Sequence, residues 1–543
     1  MTPPRRWDRE IWTIAGLAAC ISVFAFLYCF HRNQILLYGD AEGHINIARR
    51  VFDSRTPGPL QLGTVWLPLP HLLMMPFLLS DWAWRTAVGG SIPSLFAYAC
   101  SVVGIFRLTR SSLSALRIKT AQFPMGFAPW FAALVFAGNP SLIYLQTTAM
   151  TEPLYLALFV WAVVHLLEFA IASGSGDFVS ACKSLRSCAW LLAACTMTRY
   201  DGWCAMGAVA VAVLAIALSS WGTPASATLR KPIVQFLLIC AAGPALWLTY
   251  NAVVYKNPLE FANGPYSAKA IERRIVQAPH PGTGNLPAAE LYFLRAAEMN
   301  LASDMSAAKI WLLLAAAGSL IVVSRSPGSW PLLILWIPMP FYALSIAYSG
   351  VPIFVPDWWP FGQYNLRYGL QVLPAVAVFT ALAVSWLLLR VPNAFAQRIL
   401  AGAAIALSLW GSVVAFREPA SFLEAKANMS SRVALQERLA VELARLPQGS
   451  SILMAQRDYP GAPQRAGVAL KRVINENDQR LWRHPADPEG LWQSALQNPT
   501  QYVDYAVGFA GDPVQATAEA HRLPAIFSVE VAGQPRATIY RAR

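Results

Sequence analysis

The stretch "LLYGDAEGHINIARR", Leu36–Arg50, decides how the rest of the chain is read. It follows a run of about twenty mostly apolar residues, 12–31, and it opens with two carboxylates, Asp40 and Glu42. The hydrocarbon core of a bilayer is about 30 Å thick and takes roughly 20 residues of helix to cross. A run of that length, followed at once by acids, reads as a membrane span that delivers its carboxylates to the water–lipid boundary.

Composition extends this reading outward. The chain has 543 residues, of which 56% are hydrophobic and only 13% charged, whereas a soluble domain is about one quarter charged. Further apolar runs lie at 86–107, 127–145, 152–172, 187–198, 203–220, 232–255, 308–324, 330–348, 367–390 and 399–416. With 12–31 they predict about eleven spans, a mainly α polytopic helical bundle over residues 1–416. The first run is long for a signal peptide and no small-residue cleavage site follows it, so it reads as an uncleaved span. The segment "WLPLPHLLMMPFLL", 66–79, is too short and Pro-rich to cross and reads as an interfacial or re-entrant helix.

Charge gives an orientation. Arg5, Arg6 and Arg9 precede the first span, and alternate loops carry Arg107, Arg110, Arg117 and Lys119, then Lys183 and Arg186, Arg230 and Lys231, Arg325, and Arg390 and Arg398. Short basic loops with almost no acids mark the cytoplasmic side. The opposite loops hold both signs and the polar clusters. The net charge of +13 does not point to nucleic acid. From Arg417 onward there are 15 Lys+Arg against 13 Asp+Glu, so nearly all the excess lies among the spans. There it acts as a topology signal and a source of phosphate contacts. The eight cysteines lie within or beside apolar segments, with no metal-ligand spacing and no disulfide framework.

Residues 417–543 have another composition. A helix-like "SSRVALQERLAVELARL" is followed by strand-like "SSILMAQ", "YVDYAVGF" and "AIFSVEVAG". This predicts a small C-terminal α/β domain outside the membrane, on the extracytoplasmic side if the spans number eleven.

The polar clusters of the outer loops are Asp40–Glu42, "TEP" at Thr151–Pro153, "TRYDGW" at Thr198–Trp203 and "YNLRYG" at Tyr364–Gly369. Acids, arginines at helix starts and aromatic loops on one side suit a polar substrate bearing phosphate. The planar guanidinium matches phosphate oxygens and never deprotonates, aromatic faces suit sugar rings, and a carboxylate can take a proton from a hydroxyl. Each residue also has a plainer reading. Asp40 can cap the helix that starts near Ala41, Glu42 and Glu152 can be first-turn acids, and Arg199 and Asp201 can satisfy each other. Arg367 can be a snorkelling boundary arginine, Trp66 part of an interfacial belt, and His165 and Glu168 structural.

In the order of these clusters and their shared side, the chain resembles the GT-C superfamily, polytopic glycosyltransferases that use polyprenyl-phosphate sugars. The protein mannosyltransferase and aminoarabinose transferase group is the nearer match, over residues 10–416. The resemblance implies a lipid-linked donor, an outward-facing site, a glycan, lipid or protein acceptor, and a divalent metal requirement that varies between members; it names no certain cofactor. It implies that Asp40, with Glu42 beside it and Glu152 nearby, orients or deprotonates the acceptor. Arg367, flanked by Tyr364 and Tyr368, would hold the donor phosphate, with Arg199 and Asp201 near it and His71 and Trp66 facing the sugar. The family's Lys-Pro-Pro-like element is replaced by "TVWLPLPH", without lysine, which leaves the donor sugar open. "DWWPFG" at 357–362 resembles the Trp-Trp-Asp motif of oligosaccharyltransferases in the wrong order and reads as an aromatic interface loop. The expected location is a bacterial inner membrane. A transporter or lipid flippase is the alternative, and it predicts charges at mid-bilayer and inverted repeats.

Overall fold

The computed structural model describes residues 9–115, 126–219, 224–275, 279–325, 327–478 and 490–543. Arg5, Arg6, Arg117 and Lys119, which contribute to the expected orientation, lie outside them. Among the described residues, nine helical segments are long and apolar enough to cross a membrane: Arg9–His31, Val88–Ser114, Glu152–Gly174, Asp201–Leu218, Thr228–Tyr255, Met305–Arg325, Gly328–Tyr348, Leu366–Leu388 and Ala394–Phe416. The protein is an integral membrane helical bundle. The two other expected spans take different forms. Residues 127–145 break into Phe127–Ala137 and Pro140–Leu145. There the Asn139 side chain accepts the Leu142 N–H to cap the second helix, and Pro140 has no N–H with which to continue the first. Residues 187–198 form the second half of Phe178–Thr196, whose first turns carry Lys183 and Arg186.

Burial separates the centre of the bundle from its rim. Leu373–Leu388 is buried along nearly its whole length. Met305–Arg325 crosses close to it because Gly318 has no Cβ; one added there would overlap the Phe379 carbonyl. On the outer helices Trp12, Phe24, Leu320, Leu407 and Trp410 face outward, an arrangement that lipid accommodates and water penalises.

At one end of the bundle, short elements gather. Helix Gly39–Arg50 follows an extended Tyr38. The Pro-rich stretch 66–79 gives the short helix Leu69–Met74 and a single 3₁₀ turn, Phe77–Leu79. The long loop after Tyr255 contains helix Leu286–Leu301, started by Asn285 capping the Ala288 N–H. This helix packs against Pro338–Tyr348 and against the 3₁₀ helix Leu366–Val372. Gly369 lets that contact close, since a Cβ there would run into the Ala296–Ala297 peptide.

Past Phe416 the chain turns at Pro419 into helix Ala420–Arg445 and then a five-stranded sheet. Its strands are β1 (Ile452–Met454), β2 (Val473–Ile474), β3 (Tyr505–Phe509), β4 (Ala525–Val529) and β5 (Ala537–Arg541), in the order β2-β1-β3-β5-β4. β1 pairs in parallel with β2 and β3, and β5 pairs antiparallel with β3 and β4. Leu435, Leu439 and Leu443 of the long helix pack on Ile452, Val507 and Ile539 of the sheet.

Candidate active site

Arg367 stands at the centre of a buried polar cluster. The backbone brings it there through Asn365, whose φ of 57° lies in the left-handed region that asparagine tolerates. The Asn365 side chain donates to the Pro352 carbonyl at 2.8 Å and fixes the turn. Pro374 follows in the first turn of helix Leu373–Leu388, so the chain reaches that helix through a 3₁₀ segment instead of a longer α-helix. The Arg367 guanidinium is then held on three sides. Its Nη2 donates to Asp40 at 2.5 Å, its Nε to Glu152 at 3.1 Å, and its Nη1 to Glu424 at 2.7 Å.

A second arginine extends the cluster. Arg199 donates to Glu152 at 3.0 Å, to Asp201 at 3.1 Å, to the Thr151 hydroxyl at 3.0 Å and to the Tyr342 hydroxyl at 3.0 Å. The Tyr342 hydroxyl in turn donates to Asp201 at 2.9 Å. Tyr368 lies between the two guanidiniums, 5.0 Å from each, and Tyr38 lies 5.1 Å from Arg367. Two guanidiniums thus face four carboxylates. Glu152, Asp201 and Glu424 are buried, while the Asp40 side chain is 42% exposed. Asp40 is the carboxylate of the four that solvent or a substrate can reach.

Asp40, Glu152, Arg199, Asp201, Arg367 and Tyr368 are therefore brought together, and Tyr364 lies beside them. Burial raises the Tyr364 pKa, and the charge of Asp40 adds to the effect. The plainer alternative, that Asp40 caps its helix, does not hold. The helix starts two residues earlier than Ala41, at Gly39, no side chain caps it, and the Asp40 carboxylate turns to Arg367 instead. Glu42 does not join the cluster. It is fully buried on another face of the same helix, paired with Arg465 and accepting from Gln436 at 3.0 Å. His165 and Glu168 pair with each other, and Arg107 with Glu168, away from the cluster. Asp357 of the "DWWPFG" loop pairs with Arg295, and the Trp359 carbonyl accepts from the Tyr292 hydroxyl at 2.6 Å.

His71 and Trp66 meet a residue that sequence reading passed over. His44 Nδ1 lies 2.9 Å from His71 Nε2, and the His44 ring stands 4.3 Å from the Trp66 ring. His44 follows Asp40 by one helical turn, a spacing that marks a shared face. Burial first, then the charges of Arg199 and Arg367, lower its pKa to about 3. Burial also lowers His71 well below the usual histidine value, with His44 and Arg50 adding to it. Both rings are neutral at physiological pH. An unfolded histidine titrates near 6.5, so between about pH 6.5 and 3 the unfolded chain binds a proton at His44 that the folded chain does not. Stability from this residue is complete above 6.5 and falls with pH by up to about 1.4 kcal/mol per unit. The melting temperature of wild type relative to His44→Gln is therefore expected to drop as pH goes from about 7 to about 5. Parallel melting curves over that range would contradict the assignment.

Glu424 is the member of the cluster that the sequence did not suggest. It sits on the helix of the C-terminal segment, where an acid reads as a solvated surface residue. Among the described residues, no three His, Cys, Asp or Glu side chains gather as a metal site; guanidiniums hold the four carboxylates instead.

No family model matches the sequence, and no curated protein matches it. Solved structures do. ArnT from Cupriavidus metallidurans bound to undecaprenyl phosphate superposes with a TM-score of 0.58 at 14% identity, covering 99% of this chain and 99% of that one. The apo state of the same protein gives a TM-score of 0.57 at 13% identity, with 98% of each chain covered. The match runs the length of both chains, through the bundle and the C-terminal sheet alike. The architecture of this chain is accordingly that of the ArnT structures, the polytopic helical bundle with a small C-terminal α/β part that its sequence leads one to expect.

Proposed function

We propose that the chain is a glycosyltransferase that moves a sugar from a polyprenyl phosphate to an acceptor hydroxyl on the extracytoplasmic side of a bacterial inner membrane. The observation that carries this reading is the half-exposed Asp40 carboxylate against a guanidinium fixed by two buried acids. The ArnT structure with bound undecaprenyl phosphate supports a lipid-phosphate donor.

The geometry supports a coupled step. Asp40 takes the proton of the acceptor hydroxyl, the acceptor oxygen bonds to the anomeric carbon, and the bond from that carbon to the phosphate oxygen breaks. The electron pair leaves on the phosphate. Asp40 becomes neutral and loosens its hold on Arg367 Nη2, which turns to the charge growing on the leaving group. Such electrostatic stabilisation typically contributes several kcal/mol. Trp66, against His44 one turn after Asp40, suits the face of a sugar ring, and the buried, neutral His44–His71 pair backs it.

A transporter is less well supported. Glu152 and Asp201 are the first residues of their helices and Arg367 lies in the first turn of its own, so the charges cluster at helix ends and not at mid-bilayer. Mass spectrometry of glycans and glycolipids from cells with and without the gene tests the proposal. A glycoform that disappears with the gene and returns on complementation is the expected result. Unchanged glycans together with altered transport of an intact glycolipid would favour the transporter.

A further inference from the structure

We infer that Glu424, supplied by the C-terminal segment, is a positioning residue that shares the charge of Arg367 and so leaves Asp40 free to accept a proton. This rests on the reading of Asp40 as the base. Glu424 Oε1 accepts from the Asn365 N–H at 2.8 Å and from Arg367 Nη1 at 2.7 Å. Its Oε2 accepts from the Arg367 N–H at 3.1 Å, and the Tyr38 hydroxyl lies 3.3 Å away. Three N–H donors, two of them from Arg367, favour the carboxylate form of Glu424 against the burial that opposes it. It grips Arg367 by both backbone and side chain, which fixes where the guanidinium sits relative to Asp40.

The consequence lies in how the positive charge is divided. An arginine facing a single carboxylate holds it as the anion and depresses its pKa by about 1–3 units, which makes a poor base. Here Arg367 faces three, two of them buried. The other ionisable groups around this pair are His44 on the Asp40 helix, Arg199 and Asp201, Tyr342, Tyr364 and Tyr368, Tyr38, and Arg432 beside Gly39. The glutamate carboxylates that touch Arg367 are those of Glu152 and Glu424. Removing Glu424 throws more of the guanidinium charge onto Asp40.

Carbodiimide-driven coupling of an amine to carboxyl groups reads this without any sugar substrate, because it needs the protonated acid. Asp40 is the exposed member of the cluster, so the peptide that contains it can be followed by mass spectrometry across pH. In Glu424→Gln, with folding checked by thermal unfolding, the pH midpoint for labelling Asp40 is expected to fall by about one unit. Glu424→Asp keeps the charge and is expected to return the midpoint toward wild type. An unchanged or higher midpoint in Glu424→Gln overturns the inference, as does an equal shift in Glu424→Asp. Should Glu424→Gln fail to fold, Glu152→Gln removes the other buried carboxylate from Arg367 and must also lower the midpoint; no shift there is equally fatal. Because transfer is not the readout, failure of the glycosyltransferase reading would show separately, in the glycan comparison.

Discussion

Replacing Asp40 by asparagine is expected to lower sugar transfer by about 10²–10⁴-fold, the range typical of losing a general base, while the lipid donor still binds. The amide keeps the size of the side chain and an oxygen to accept from Arg367 Nη2, so the cluster stays assembled. What it loses is the capacity to take a proton. Glycan mass spectrometry of complemented cells measures the transfer, and binding of undecaprenyl phosphate to the purified variant measures the donor site. Full transfer by Asp40→Asn would remove Asp40 as the base and leave a non-catalytic scaffold as the simpler reading. Loss of donor binding along with transfer would instead mean that Asp40 organises the site without performing the proton step.

The largest effect on stability is expected from Arg367→Met. Methionine fills a similar volume but strands the buried Glu424 and leaves the buried Glu152 to Arg199 alone, with Asp40 beside them. Removing one partner of a buried ion pair typically costs about 3–5 kcal/mol because the remaining charge is left uncompensated. Thermal unfolding in detergent should register a large drop. Adding Glu424→Gln to the variant should recover part of it, since the stranded charge is then gone. Arg367→Lys should rescue poorly, because an ammonium is a compact point charge and cannot present three separated donors to three acids. A melting temperature close to wild type for Arg367→Met would mean that the cluster contributes little to the fold.

Much of this architecture is legible in the sequence because lipid makes apolar runs unambiguous. The runs fail as a guide where composition is mixed. Leu286–Leu301 is an amphipathic support that buries one face under the Arg367 turn, yet it contains Glu290, Arg295 and Glu298 and reads as loop. The residues of the cluster announce themselves when an acid or arginine stands at the edge of an apolar run, as Asp40, Glu152, Arg199 and Arg367 do. Glu424 does not, because its partners come from more than fifty residues upstream and nothing local marks it as buried. Glu42 illustrates the opposite error. Residues two positions apart on a helix are about 200° apart around its axis, so Asp40 and Glu42 turn to different partners, although their closeness in sequence suggests a pair.

The fate of Glu42 bears on how such proteins can be recombined. The helix that carries Asp40 is fastened to the C-terminal segment by Glu42 to Arg465 and Gln436, by Asn46 to Gln464 at 2.8 Å, and by Asp53 to the Leu470 and Lys471 amides. Gly461 allows the close approach, since any larger residue would collide with Glu42 and Arg465. A chimaera that exchanges this end of the chain for that of a relative must transplant both surfaces of the joint, because the part that looks detachable supplies Glu424 to the polar cluster around Arg367.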